Sequence, residues 1–218
     1  MLGLGLGLGF SRAKPFDAHA EIVRVLGSAL LGHWRFDDAT LDGSENATAL
    51  PGLVTGTDLA LDGARVIPTT LVNGRRFTNV TASTGRALRL AAAWRANTVF
   101  AVLRVPALPF TSAAYCVCSD AINEPKFQAT NASSNWSTAA GFTHRRNGVS
   151  TEAAATGVNV YRATKAAPDW TGIRLCGAGA AYTGLDFVGG IGSVVAAGAV
   201  TADQAAEVEA ILSRSYGV

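Results

Sequence analysis

Ten residues at the amino terminus, Met1-Leu2-Gly3-Leu4-Gly5-Leu6-Gly7-Leu8-Gly9-Phe10, alternate strictly between a bulky apolar side chain and glycine. In an extended segment successive side chains point to opposite faces, so Leu2, Leu4, Leu6, Leu8 and Phe10 share one face and bare backbone forms the other. Such a strand is not stable alone, because each glycine adds unfolded-state entropy that burial must offset. The leucine face requires a surface, supplied either by the chain's own sheet or by another chain, and both stay open at this level. A secretory signal would carry a basic n-region, a longer apolar core and a small-residue cleavage site, none of which this stretch provides, so no export signal is expected. No window offers the roughly twenty successive apolar residues of a membrane span. The segment reads as an assembly element.

A chain of 218 residues can bury a substantial core, and β-sandwiches of this length are commonly one domain. The expected organisation is an arm and linker over residues 1–20 and one sandwich domain over 21–218. Charged residues make up 16%, below the roughly 25% typical of soluble domains, which suits a surface partly covered by neighbours. A net charge of +2 with scattered Lys and Arg does not make a nucleic-acid surface. The two basic pairs, Arg75-Arg76 and Arg145-Arg146, read as solvated loop positions.

Cys116, Cys118 and Cys176 are odd in number and lack an export signal, which places synthesis in a reducing cytoplasm without a disulfide framework. Cys116 and Cys118 share a strand face. A metal site would want a second pair and histidines at suitable spacing, so buried, inert thiols are expected. The sequons at Asn46, Asn79, Asn131 and Asn135 carry no glycan meaning without export.

Ile22, Val25, Leu26, Ala29 and Leu30 fall at helical spacing within Phe16 to Leu31, with Asp17 as a possible cap; a strand over Glu21 to Leu26 is the rival. From Gly32 onward, short apolar or alternating runs are broken by Gly, Asp, Asn and Pro, the pattern of many strands joined by turns. Candidate strands cover His33 to Asp37, Val66 to Leu71, Ala87 to Leu90, Thr98 to Val105, Ala114 to Ser119 and Lys126 to Thr130. Others cover Gly141 to Arg145, Gly157 to Ala163, Thr171 to Gly177 and Phe187 to Val195. Thr201-Ala202-Asp203-Gln204 is a capping box that starts a helix over 202–214, with Ala205, Val208, Ile211 and Leu212 as its apolar stripe and Glu207 and Glu209 pointing elsewhere.

Leu31 to Asp38, Asp42-Gly43-Ser44 and Asp58 to Gly63, followed by Gly85 to Leu90 and Thr98 to Leu103, resemble the opening strands of concanavalin A-like, laminin-G-like jelly rolls. Phe187 to Val195, Thr201 to Leu212 and Tyr216-Gly217-Val218 are similar to the closing strand and final helix of bacteriophage versions. The resemblance implies an all-β fold: a jelly-roll (concanavalin A-like) β-sandwich with an extended N-terminal arm and a short C-terminal α-helix.

Glucanases of that family carry Glu-x-Asp-x-x-Glu on one strand, which aims the carboxylates into one cleft. No such run occurs here; Glu21, Glu45, Glu124 and Glu152 are isolated. Asp37, Asp38, Asp42, Asp58 and Asp62 have the oxygen chemistry for Ca²⁺, but acidic turn residues are commoner than ligands, and neither metal nor cofactor is expected. His19, His33 and His144 are accompanied by no Gly-x-Ser-x-Gly elbow, and Gly189-Gly190-Ile191-Gly192 reads as a tight turn rather than a dinucleotide fingerprint. Trp94, Trp136, Tyr161 and Trp170 are available for sugar stacking, whereas Trp34 and Phe36 fit a packed strand. The polar loop Asn131 to Ser137 around Trp136 is the candidate recognition tip.

The resulting expectation is a non-enzymatic virion protein of a tailed bacteriophage, made in the host cytoplasm and docked on other virion proteins through Leu2, Leu4, Leu6, Leu8 and Phe10. Self-association, with a trimer favoured, is implied by analogy, and neither nucleic acid nor membrane is an expected partner. The alternative is a carbohydrate-binding module that holds a host glycan through Asn135, Trp136 and Trp170.

Overall fold

The run Thr98 to Leu103 has no exposed residue, although strand periodicity sends its side chains alternately to opposite faces. Such a run requires cover on both sides. The computed structural model, which describes residues 16–81, 85–110, 116–119, 125–129, 132–137, 141–167, 170–177 and 186–218, supplies it. The Leu-Gly segment, with Leu2, Leu4, Leu6, Leu8 and Phe10, lies outside the described residues, as does Asn131.

Among the described residues the chain runs α1 (Ala18–Leu26), β1 (Leu30–Arg35), β2 (Thr40–Leu41), β3 (Asn46–Leu50), β4 (Leu59–Leu61), β5 (Ile67–Val72), β6 (Arg75–Thr78), β7 (Leu88–Ala96) and β8 (Thr98–Val105). It continues through β9 (Cys116–Ser119), β10 (Pro125–Gln128), β11 (Thr143–Arg146), β12 (Val149–Ser150), β13 (Gly157–Thr164), β14 (Trp170–Leu175), β15 (Gly190–Ala197) and α2 (Ala202–Tyr216). Six strands form one antiparallel sheet in the order β1-β15-β8-β13-β11-β12. The other sheet runs β10-β9-β14-β7-β4-β3-β5-β6, with β2 added beside β3. The fold is an all-β sandwich with a short C-terminal helix.

Val99, Ala101 and Leu103 of β8 face the second sheet and join a core with Trp34, Leu88, Phe127, Trp136, Ile173 and Val194. Phe100 and Val102 point the other way, into a smaller core closed by Ile22, Val25 and Leu26 of α1 and Ala205, Val208 and Leu212 of α2. The helical reading of the first element is the one realised, and α1 starts at Ala18, within the stretch expected to be arm and linker. Asp17 caps it by accepting from the backbone N–H groups of His19 and Ala20, and Gly27 (φ +51°) ends it. At α2 the capping box forms as its residues dictate: the Thr201 side chain accepts from Gln204 N, and Gln204 returns the bond.

Several local expectations are corrected. Arg75 and Arg76 are not loop residues: they form β6, where the Arg76 N–H donates to Asp37 at 2.6 Å and Arg75 reaches Asp37 and the Ser215 carbonyl. Arg145 and Arg146 lie on β11. Gly190 and Gly192 lie inside β15, within the stretch Phe187 to Val195 expected as a strand; a Cβ on Gly192 would stand 2.7 Å from the rings of both Phe77 and Tyr216, so glycine there admits a close approach rather than a turn. Glu209 does not point to solvent: it is 4% exposed and paired with Arg162 of β13 at 3.2 Å. Cys118 and Cys176 are buried, and burial raises the Cys176 thiol well above its ordinary value.

Candidate functional site

The polar stretch that precedes β11 is clamped between the sheets. Ser137 N–H donates to the Gln128 carbonyl at 2.8 Å, while Trp136 N–H donates to the Glu152 carbonyl and Ala154 N–H to the Ser134 carbonyl, each at 2.7 Å. A bridge between Asn135 and Ala153 completes the seam. The opposite wall is the β11–β12 hairpin, turned at Asn147-Gly148 with φ +47° and +81°, where L-residues other than Asn are strained. Asn147 fixes that turn by accepting from Val160 N at 2.8 Å and donating to Asn159 at 3.0 Å.

Between these walls lies an open cleft of about 500 Å³, lined by Asn135, Phe142, His144, Ser150, Thr151 and Glu152 among others. Asn135, Ser150 and Glu152 are exposed, and Thr151 is held by accepting from Ala153 N at 3.1 Å. His144 is 3% exposed, and its Nε2 donates to the Ser137 carbonyl at 2.8 Å. Burial is the main cause holding its pKa below the ordinary value, so at neutral pH the ring is uncharged, and with Nε2 engaged and Nδ1 buried it braces the cleft wall. An amide, a hydroxyl and a carboxylate on this rim can exchange hydrogen bonds with a hydroxyl-rich ligand.

Of the residues expected at a recognition tip whose side chains are described, the structure brings only Asn135 to this cleft. Trp136 is corrected to a core position: it is 1% exposed, with ring centroids of Phe127 at 4.8 Å, Tyr161 at 5.2 Å, Phe110 at 5.4 Å and Phe187 at 6.3 Å around it. No face of that indole is open for stacking. Tyr161 is likewise 1% exposed, its hydroxyl donating to the Ala155 carbonyl. Trp170 opens β14 opposite Ala96, and its side chain lies outside the description. Ser150 and Glu152 escaped the sequence reading because nothing local marks an isolated Glu after a turn; the seam pairing that places them is non-local.

The acidic turn residues are each engaged. Asp37 accepts from Arg75 and Arg76, Asp38 from Arg35 at 2.7 Å, Asp42 from Ser44 and Asn46, Asp58 from Gly52 N, and Asp62 from Arg174 at 2.6 Å. Among the described residues no group of three or more His, Cys, Asp or Glu is placed to hold a metal ion, and no helix is long and apolar enough to cross a membrane. Comparison of the chain with protein-family models, curated proteins and solved structures finds no match.

Proposed function

We propose that this chain is a non-enzymatic structural protein of a bacteriophage virion, a capsid-decoration, head, or tail spike or fibre component docked through its Leu-Gly arm. The observation that carries the reading is the alternation of Leu2, Leu4, Leu6, Leu8 and Phe10 with glycine. Added to the edge of a neighbouring sheet, such a segment gains main-chain hydrogen bonds while its leucines fill alternate pockets, and glycine lets the second backbone approach closely. The body suits an anchoring role, because α1, which follows the arm, is packed through Ile22, Val25 and Leu26 onto the sandwich. A load on the arm is thereby passed to the sheet. The virion setting rests on the resemblance of the closing strand and final helix to bacteriophage jelly rolls, and a trimer is the favoured assembly.

Deletion of residues 1–10 tests the reading. The shortened chain is expected to fold and to lose both self-association and incorporation into particles; normal incorporation overturns it.

The second reading is a carbohydrate-binding module, favoured by the cleft rimmed by Asn135, Ser150 and Glu152. Host-polysaccharide binding that is lost in Asn135→Ala and Glu152→Gln supports it, and retention of binding in both variants removes this cleft as the site.

A further inference from the structure

An imidazole pair fastens α1 to the sandwich. His19 lies in the first turn of the helix and His33 in β1; their Nδ1 atoms are 3.1 Å apart and their ring centroids 5.2 Å apart. Only one proton fits between two nitrogens at that separation. The far side of His33 says which nitrogen supplies it. Ser193 has a single hydroxyl proton and stands 3.1 Å from the Trp34 carbonyl, which can only accept. Ser193 therefore donates there and accepts from His33 Nε2 at 3.2 Å. Burial keeps His33 neutral, so with Nε2 carrying the proton its Nδ1 accepts, and His19 donates through Nδ1. One line of hydrogen bonds runs from α1 through β1 to β15 and back.

We propose that this pair is an acid-released latch: His33 takes a proton only when α1 lifts from the sheet, so acid frees the helix. The latch does not depend on the proposed docking role of the chain.

Burial, the largest influence on both rings, outweighs the groups that favour an extra charge, which are Asp17 for both rings and Asp38 and the Leu53 backbone for His19. From α1, Asp17 is engaged by the backbone N–H groups of its own helix. Arg35 of β1 opposes a charge on either ring, and Asp38, from the turn after β1, is bound to Arg35. From α2, Tyr216 stands beside Ser193 with its phenol held protonated by burial. His33 is fully buried, and burial first, then His19 and Arg35, lowers its pKa from 6.5 to about 3. His19 is lowered as well, chiefly by burial. A nine-residue helix is marginal by itself. Its other ties are the apolar face, the Gln204 bond to the Val25 carbonyl at 2.9 Å, and an exposed ion pair of Arg24 with Glu207 of α2.

Amide hydrogen exchange on the full chain tests the latch. After correction for intrinsic rates, opening of the Ile22, Val25 and Leu26 amides should rise about tenfold per pH unit for each proton taken up between about pH 6 and about pH 4. Amides of Phe100 and Val102 should not follow. His33→Gln should remove most of the dependence and His19→Gln should make it shallower. Should His33→Gln not fold, ring ¹⁵N shifts of the wild type serve: His33 should stay the neutral Nε2–H tautomer to about pH 4. Opening of α1 that is independent of pH, or a His33 that takes a proton near pH 6.5 while α1 stays protected, overturns the proposal.

Discussion

The ring of Trp34 lies over Gly32: a Cβ at position 32 would fall 2.2 Å from the Trp34 ring, closer than real carbon atoms approach. Two residues of one strand face occupy the space of one, which is why a glycine precedes the fully buried tryptophan. The indole is further fixed by donating to the Thr57 carbonyl at 2.6 Å. Gly32→Ala should therefore destabilise the fold by about 1–3 kcal/mol through overpacking, as read by urea denaturation. An unchanged midpoint would mean that the ring is free to move.

Trp136 provides the contrast between a core and a recognition residue. Trp136→Ala should cost about 3–5 kcal/mol, because four aromatic neighbours lose their partner. Asn135→Ala, on the exposed side of the same seam, should stay within about 0.5 kcal/mol of wild type. Thermal unfolding of the two variants separates these roles, and a mild effect of Trp136→Ala contradicts the buried placement.

Much of the sandwich was legible where the pattern is local. β8 appears with the bounds that its apolar run implies, and the Thr201–Gln204 box starts α2 where its side chains require. Five strands were not legible: β2, β3, β4, β6 and β12 are short and carry Asn, Thr, Ala, Arg or Ser, so their strand character comes from the neighbours they pair with. The same reason hid the cleft. Asn135 and Glu152 meet only because the chain crosses between the two sheets at the Asn135–Ala153 bridge, and Trp136 looked like a loop-tip residue because its cage comes from four distant segments. Side-chain chemistry alone does not say that His33 and Ser193 lie within a hydrogen bond of each other.

Gln204 ties two helices at once: it closes the α2 box and donates to the Val25 carbonyl of α1. Gln204→Ala should cost about 1–2 kcal/mol, more than a cap alone, while Thr201→Ser should be nearly neutral because the hydroxyl acceptor is kept. Equal effects of the two substitutions would deny the tie between the helices.

Acid should weaken the whole fold well before the carboxylates titrate. His19, His33 and His144 are all held below 6.5, so the unfolded chain binds protons that the native chain refuses. Their contribution is complete above pH 6.5 and is lost as pH falls towards the value of about 3 for His33, up to roughly 4–5 kcal/mol from that residue. Glu209 acts in the opposite sense, since its raised pKa lets the native state keep a proton that the unfolded chain gives up above 4.5. Urea midpoints should drop between pH 7 and pH 5 in the wild type and drop less in His33→Gln; a flat profile contradicts the burial of the ring.

The role of the arm is tested most directly by a photo-cross-linker placed at Leu4 of the full chain, with the assembled protein irradiated and its adducts mapped by mass spectrometry. Adducts joining Leu4 to a strand of another polypeptide are the predicted result. Adducts confined to the same chain contradict the account.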